Sequence, residues 1–130
     1  MKKYDIIGDI HGHAVELKAL LEKLGYVRDG NGVYIPPEPN RMAVFTGDYI
    51  DRGGENFEVI DIVRGMVQAG HAHAIMGNHE LNASLFHTQH PNKSGELRPL
   101  RGHGTRNVHQ HQAFLDEATQ NPERAAQNIE

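Results

Sequence analysis

Four side chains that stand next to glycines could together bind a metal ion. Asp9, Asp48 and Asn78 each follow a glycine directly, and His11 lies two residues after Asp9. Carboxylate and amide oxygens combined with one imidazole nitrogen suit manganese, iron or zinc better than the all-oxygen shells of magnesium or calcium. The chain contains no cysteine, so thiolate metal sites and disulfides are excluded.

Further residues beside these candidate ligands suit phosphate chemistry. Asp48, which lies between the other ligands in the chain, could bridge two metal ions, as two-metal phosphoryl transfer requires. Arg52 could bind phosphoryl oxygens through its planar guanidinium group. His79 could protonate the leaving oxygen if a carboxylate such as Asp51 orients its ring. Each of these residues also has a purely structural alternative. The four candidate ligands could be caps at strand ends or in turns, Asp51 and Arg52 could form a surface ion pair, and His79 could be a solvated loop residue.

The hydrophobic pattern predicts elements that would bring these residues together. Apolar runs that end at glycines predict three strands, at residues 3–7, 41–46 and 72–76. An apolar stripe predicts a helix between the first two strands that ends near Gly25, and it consists of Leu17, Leu20, Leu21 and Leu24. A second helix is predicted over residues 55–69, and its apolar face consists of Phe57, Ile60, Val63 and Val67, widened by Val59 and Met66.

This alternation of strands and helices predicts an α/β fold with a parallel sheet and crossover helices. Ligands of such sheets bind beyond the carboxyl ends of the strands, where the candidate residues lie. Residues 26–40 are predicted to be a surface excursion with at most one small strand. After the third strand we expect a short helix over 80–86, a loop from His90 and a helix over 105–119.

Three short blocks resemble the signature motifs of a known family. They are GDIHG (residues 8–12), GDYIDRG (47–53) and GNHE (77–80), and each directly follows a predicted strand. In this order and spacing they look like the blocks of the calcineurin-like metallophosphoesterases. More narrowly, they resemble the phosphoprotein phosphatase branch, which includes bacterial protein phosphatases and symmetrical diadenosine tetraphosphate hydrolases. The resemblance covers residues 3–87.

The resemblance implies a role for each candidate residue. Two divalent metal ions are expected, with manganese first and iron, zinc or nickel as alternatives. The first block would bind one ion, the asparagine of the third block the other, and the aspartate of the second block both, which gives the ligands Asp9, His11, Asn78 and Asp48. The resemblance further implies that His79 is the general acid, that Asp51 orients it and that Arg52 binds phosphate.

The expected function is hydrolysis of a phosphomonoester by a water activated between two metal ions. The substrate would be a phosphorylated small molecule, a nucleotide or a phosphoprotein with phosphoserine or phosphothreonine. A dinucleoside polyphosphate hydrolase is the alternative. The presence of Asp51 and Glu80 favours the phosphatases, because the dinucleotide hydrolases tend to lack both. Met76, however, stands where the protein phosphatases usually carry arginine.

The length predicts one domain that represents part of the family's fold. Only 50 residues follow Glu80, whereas family members complete the metal shell with later histidines from a second sheet. We therefore expect the N-terminal half of the family's αββα sandwich, with the motifs in 3–87, a loop and helix in 88–120 and a tail in 121–130. A non-catalytic fragment is the third hypothesis. His103 follows His79 too closely to be expected as the later ligand.

The composition excludes several classes of protein. A net charge of −4 provides no basic surface for a nucleic-acid polymer. No apolar run reaches the roughly 18 residues of a membrane span, and the start does not resemble a secretory leader, so a cytoplasmic protein is expected. A three-stranded sheet would leave one edge uncovered, and that edge could pair with a second copy. His109 and His111 would face different directions on a helix, which argues against a shared ion.

Overall fold

The computed structural model describes residues 1–87, 89–91, 97–99 and 105–120. Its elements follow one another in the order β1 (Lys3–Ile7), α1 (Ala14–Lys23), β2 (Val27–Arg28), β3 (Tyr34–Ile35), β4 (Arg41–Phe45), α2 (Asn56–Gln68), β5 (Ala72–Ala74), α3 (Asn78–His87), β6 (Gln89–Pro91), β7 (Leu97–Pro99) and α4 (Thr105–Gln120). None of the helices in these ranges is long and apolar enough to cross a membrane.

A three-stranded parallel sheet organises the fold. The strand order is β1-β4-β5, and both pairings are parallel, with Ile7 opposite Phe45 and Ala43 opposite Ala72. Parallel neighbours need a crossover between them, and α1 and α2 lie in these two crossovers. The predicted α/β fold with a parallel sheet is therefore confirmed.

The two faces of the sheet differ in burial. Ile7, Ala43 and Phe45 belong to one hydrophobic core together with the buried side chains of α1 and α2. On the opposite face, Tyr4 and Ile6 of β1 are 52% and 74% exposed. Among the described residues the helices thus cover one face of the sheet, and the other face remains open to solvent.

The apolar stripes of both helices lie slightly differently from the prediction. In α1, Leu17 and Leu21 are buried, whereas Leu20 is 40% exposed. In α2, Val67 is also 40% exposed. The buried face of α2 is rotated away from Val67, and its members are Asn56, Phe57, Val59, Ile62, Val63 and Met66. The rotation follows from packing against α1 and β5, which the sequence period alone does not specify.

Several element boundaries also differ from the prediction, most of them by one or two residues. Strand β4 ends at Phe45, and β5 ends at Ala74, although Ile75 still donates its amide to the Phe45 carbonyl at 3.1 Å. Helix α3 begins at Asn78 instead of at residue 80. Its early start has a local cause, because the Glu80 carboxylate accepts the amide of Gly77 at 3.0 Å, in the manner of a capping box.

The remaining segments contain small strand pairs. Residues 26–40 contain two short strands, β2 and β3, which pair antiparallel, where one was expected at most. The loop predicted from His90 is in part the antiparallel pair of β6 and β7. Residues 92–96 of that loop, and the predicted tail at 121–130, lie outside the described residues. Helix α4 matches the predicted helix with one further residue at its end.

Candidate metal centre

The loops that follow β1, β4 and β5 meet at the carboxyl end of the sheet. The amides of Ile10 and His11 both donate to the carbonyl oxygen of Asp48, at 3.1 and 3.0 Å, and this joins the first loop to the second. The amide of His79 donates to Oδ1 of Asp48 at 3.0 Å, which joins the third loop to the second. The three motif blocks therefore surround one site, with Asp48 at its middle.

Asp9, His11 and Asp48 form a cluster of potential metal ligands. One ligand atom of each lies within 4.8 Å of the others. Nδ1 of His11 lies 2.9 Å from the carbonyl oxygen of Ile50, which can only accept, so Nδ1 carries the proton of the neutral ring. Nε2 then keeps a free lone pair, 3.6 Å from Oδ2 of Asp9. A histidine oriented by a backbone carbonyl in this way is typical of metal centres.

Asn78 stands opposite the Asp48 carboxylate. Its amide end lies 3.0 Å from both carboxylate oxygens, and with the nitrogen toward them it donates to both. With the amide oxygen toward them, three oxygens face one another, an arrangement that a cation between them would stabilise. The donor set at this position, two carboxylate oxygens and one amide oxygen, therefore fits a divalent ion.

Four residues of the site have a left-handed backbone conformation. Among the described residues other than glycine, positive φ angles occur at His11 (48°), Asp48 (54°), Asp51 (70°) and Arg52 (77°). This conformation costs about 1–2 kcal/mol for a residue with a Cβ, and it concentrates at binding and catalytic sites. All four residues belong to the set that the motifs nominate, so the local strain coincides with the candidate site.

His79 and Asp51 are in direct contact beside the metal cluster. Nδ1 of His79 lies 2.9 Å from Oδ2 of Asp51. The ring of His79 stands edge-on to the ring of His11, with 4.7 Å between the ring centroids. The Asp51 side chain is only 3% exposed, whereas the neighbouring Arg52 is exposed to solvent. The pair is thus close enough to the metal cluster to act on a ligand bound there.

A second histidine, His111 of α4, also contacts Asp51 through a hydrogen bond between its Nδ1 and Oδ1. Burial alone would raise the pKa of Asp51, but the hydrogen bonds from His111 and His79 outweigh it and hold that pKa below its usual range. No role for His111 was predicted from the sequence. The sequence signal that could have indicated its burial is its spacing from Phe114 and Ala118, which places all three residues on one face of the helix.

Glu80 joins the second and third loops through their backbone. Its carboxylate accepts four amides, from Gly77 at 3.0 Å, Asp48 at 2.5 Å, Tyr49 at 2.8 Å and Ile50 at 3.3 Å. Burial raises the pKa of Tyr49 to about 12, with the negative charge of Glu80 as the next cause. These contacts of Glu80 with two loops were not predicted from the sequence, although a glutamate three residues after a helix cap is a recognisable signal of a capping box.

Glu117 of α4 likewise accepts backbone amides through its carboxylate, in this case at the start of α2. It accepts the amides of Asn56 and Phe57 at 2.5 and 2.9 Å, so it caps this helix from another element. The buried Asn56 in turn accepts the amide of Asp51 at 2.8 Å and donates to the carbonyl of Gly53 at 2.9 Å. Because Glu117 lies 61 residues after Asn56 in the sequence, no local pattern predicts the contact.

A pocket lies next to the cluster. It has a volume of about 460 Å³, adjoins Asp9 and lies between β1 and α1, where His13 and Glu16 accompany apolar residues such as Leu17 and Leu20. His103, which was not expected to be a ligand, lies outside the described residues.

The fold and the donor set together define an α/β protein with a candidate metal centre at the carboxyl ends of its parallel strands. The sequence model of the calcineurin-like phosphoesterases matches residues 2–125. The chain therefore belongs to the calcineurin-like phosphoesterase family, whose members use divalent metals, and the resemblance seen in the three motif blocks is confirmed.

Similar proteins carry the name of one of the two predicted activities. The chain is similar to the asymmetrical bis(5′-nucleosyl)-tetraphosphatase PrpE of Geobacillus thermodenitrificans, with 51% identity over 75 residues, 58% of this chain and 30% of that protein. The PrpE of Bacillus subtilis is 46% identical over 77 residues, again 58% and 30% of the two chains. The names of these relatives do not support the preference for phosphatases that Asp51 and Glu80 suggested.

The matched region is a minor part of these relatives. The chain spans about 30% of the length of the PrpE proteins that it matches. Among solved structures, a protein serine/threonine phosphatase from Saccharomyces cerevisiae aligns with a TM-score of 0.49 and 26% identity, over 61% of this chain and 22% of that one.

Proposed function

We propose that the protein containing this chain hydrolyses phosphate esters with the help of two divalent metal ions. The observation that carries the proposal is the position of the His79–Asp51 pair, at 2.9 Å from each other, beside the three ligand atoms of Asp9, His11 and Asp48. Metal ligands next to a histidine that can move a proton are the parts that metal-assisted hydrolysis needs.

Asp9 and His11 would hold one ion, Asn78 the other, and Asp48 both. Divalent ions bound there supply positive charge for the phosphoryl oxygens and lower the pKa of water so that it can attack at neutral pH. The mixed oxygen and nitrogen donor set suits manganese, iron or zinc alike. The resemblance to the family makes manganese the first expectation, with iron, zinc and nickel as the alternatives. The resemblance to the family implies that later histidines, from a second sheet that follows the third motif block, complete the ligand shell.

His79 is proposed as the general acid. Its Nδ1 is turned toward Asp51, so Nε2 is the nitrogen that would give a proton to the leaving oxygen. The ionised Asp51 orients the ring and stabilises the protonated imidazole by its negative charge. Arg52, which is exposed at the same loop, would bind the non-bridging oxygens of the phosphate with its planar donors.

Two substrate classes are compatible with this chemistry. The first is a phosphomonoester, on a small molecule or on a phosphoserine or phosphothreonine of a protein. The second is a dinucleoside polyphosphate such as diadenosine tetraphosphate, which the names of the PrpE relatives support. Both reactions place a phosphoryl group at the metal centre and require a proton for the leaving oxygen, so the site geometry serves either.

The test is hydrolysis of p-nitrophenyl phosphate by the complete protein with manganese. We expect Asp48→Asn to lower kcat/KM by about 100-fold or more, because it removes a charged ligand from both proposed ions. The matched control Glu22→Gln, an exposed residue of α1, should remain within about twofold. Turnover that persists in a chelator, or full activity of the Asp48 variant, would refute the proposal.

A direct comparison of two substrates on the same preparation distinguishes the two substrate classes. Diadenosine tetraphosphate and a phosphoserine peptide are supplied at equal concentration, and the products are resolved by chromatography. A higher kcat/KM for the dinucleotide, with two unequal nucleotide products, would select the dinucleotide hydrolase. Release of inorganic phosphate from the peptide at the higher rate would select the phosphomonoesterase.

A further inference from the structure

The carboxylate of Asp51 is shared between two histidines from distant parts of the chain. Oδ2 lies 2.9 Å from Nδ1 of His79, and Oδ1 is hydrogen-bonded to Nδ1 of His111, which is 60 residues away in the sequence. The side chains of both Asp51 and His111 are 3% exposed. An aspartate in contact with only one partner could rotate about its last side-chain bond, whereas two partners fix both oxygens.

The direction of these hydrogen bonds follows from the state of the carboxyl group. With the pKa of Asp51 held below its usual range, the group is ionised at neutral pH and can only accept. Both imidazoles therefore donate from Nδ1, and each ring keeps Nε2 for another partner. At His79 this is the nitrogen that the proposed function assigns to the leaving oxygen.

The His111 ring is itself held in place by α4. It stacks on Phe114 with 4.6 Å between centroids and 17° between ring planes. Phe114 is 2% exposed and stands edge-on to Phe57 of α2, at 5.3 Å. One helical turn further, Glu117 caps α2. His111, Phe114 and Glu117 are spaced by three residues, so one face of α4 is attached to the loop of the second motif block and to the helix that follows it.

We propose that His111 is a positioning residue of the catalytic site, which holds the Asp51 carboxylate so that Oδ2 stays aligned with Nδ1 of His79. The proposal rests on the proposed function, in which His79 protonates the leaving group. His111 does not touch the substrate in this role. Its effect reaches the reaction only through Asp51, and therefore only through the step in which a proton is given to the leaving oxygen.

The test exploits the dependence of this step on the leaving group. Phenyl phosphate releases a poor leaving group that needs the acid, whereas 2,4-dinitrophenyl phosphate releases a good one that does not. We expect His111→Leu to lower kcat for phenyl phosphate by about tenfold to 100-fold, within the range of general acid catalysis. For 2,4-dinitrophenyl phosphate kcat should change by less than about twofold, and KM should stay constant for both.

A conservative variant provides the rescue. The side-chain amide nitrogen of asparagine can occupy nearly the position of Nδ1 of a histidine and can donate to Oδ1 of Asp51. His111→Asn should therefore recover most of the lost kcat for phenyl phosphate, whereas His111→Leu keeps the apolar contact with Phe114 but lacks the donor. Equal losses for both substrates in both variants would mean that His111 only supports the fold, and would overturn the proposal.

A second measurement does not depend on activity. Nitrogen-15 NMR of the zinc-loaded protein detects the Nδ1 protons of His79 and His111, since zinc is diamagnetic and does not broaden them. We expect two slowly exchanging imidazole protons, of which that of His79 broadens in His111→Leu and stays sharp in His111→Asn. An unchanged His79 signal in His111→Leu would overturn the positioning role. A wild-type protein that shows these signals but no metal-dependent hydrolysis would instead refute the proposed function.

Discussion

The Glu80 side chain is not a candidate metal ligand, but it positions the loops that carry two of them. Its two oxygens accept the amides of residues 48–50 and of Gly77, and these amides belong to the loops that carry Asp48 and Asn78. Hydrogen bonds to a charged acceptor contribute about 1.5–3 kcal/mol each when buried. The Glu80 carboxylate therefore holds the second and third motif blocks at a fixed separation. Two metal ions that share Asp48 as a ligand would require such a fixed separation.

Outside the site, Asp5 makes stability depend on pH. Arg41 donates to it at 2.8 and 3.1 Å, and Tyr26 at 2.9 Å. The hydrogen bond from Arg41 is the main cause that lowers the pKa of Asp5, and that from Tyr26 adds to it, against the opposing effect of burial. Because the folded-state pKa is depressed, the stabilisation is present above the usual carboxyl pKa and is lost as the pH falls through the folded-state value.

We expect the free energy of unfolding of the wild-type chain to fall by about 1–2 kcal/mol more than that of Asp5→Asn between about pH 5 and about pH 2. Urea denaturation across this range measures the difference. Asp116→Asn, a substitution of an exposed aspartate on α4, should retain the wild-type slope. Parallel curves for the wild type and the Asp5 variant would contradict the assignment.

At the level of elements, the loops after β4 and β5 approach each other so closely at Gly77 that this position has no room for a side chain. A Cβ built on Gly77 would collide with the backbone nitrogen and the carboxylate of Asp48. Glycine is needed here for space. The close approach brings Asp48 beside Asn78, and so it explains why the third block begins with a glycine.

Gly77→Ala should therefore destabilise the chain by about 1–3 kcal/mol, the usual range for overpacking, and should weaken manganese binding because the two loops must separate. Gly54→Ala is the matched control, since a Cβ at Gly54 meets nothing within 4 Å and its φ is not in the left-handed region. Urea denaturation and isothermal titration with manganese measure the two effects. Equal behaviour of the two variants would show that the collision is relieved without moving Asp48.

For the whole molecule, the described residues build a sheet with helices on one face, and the open face carries Tyr4 and Ile6. Pairing of two copies through an uncovered edge of the sheet stays a prediction, which sedimentation of the purified chain would test. The candidate metal centre lies at the carboxyl end of this sheet, where the ligands come from loops that the folded core brings together. Metal binding and global stability should therefore be coupled.

We expect manganese to raise the midpoint of thermal unfolding and a chelator to reverse the rise. A ligand that binds only the folded state adds about 2.7 kcal/mol when its concentration is 100 times its dissociation constant. Asp48→Asn should lose most of this response, while Glu22→Gln should retain it. A midpoint that is insensitive to manganese in the wild-type chain would argue against a metal centre within these residues.

The sequence by itself determined the parallel α/β order and the residues that gather at the strand ends. Asp9, Asp48 and Asn78 each follow a glycine that comes after a predicted strand. Because parallel strands present their carboxyl ends on the same edge of the sheet, this local pattern is enough to bring the three residues together. The motif blocks also named Asp51 and His79 before any contact between them was known. Their roles in catalysis remain predictions.

Only the tertiary structure decided which distant residues support this site. His111 and Glu117 reach Asp51 and the start of α2 from about 60 residues away. Their contacts depend on the rotation of α4 about its own axis and on its packing against α2. The period of an apolar stripe defines which side chains share a face, but it leaves the partner of that face open, because burial is favourable against any apolar surface.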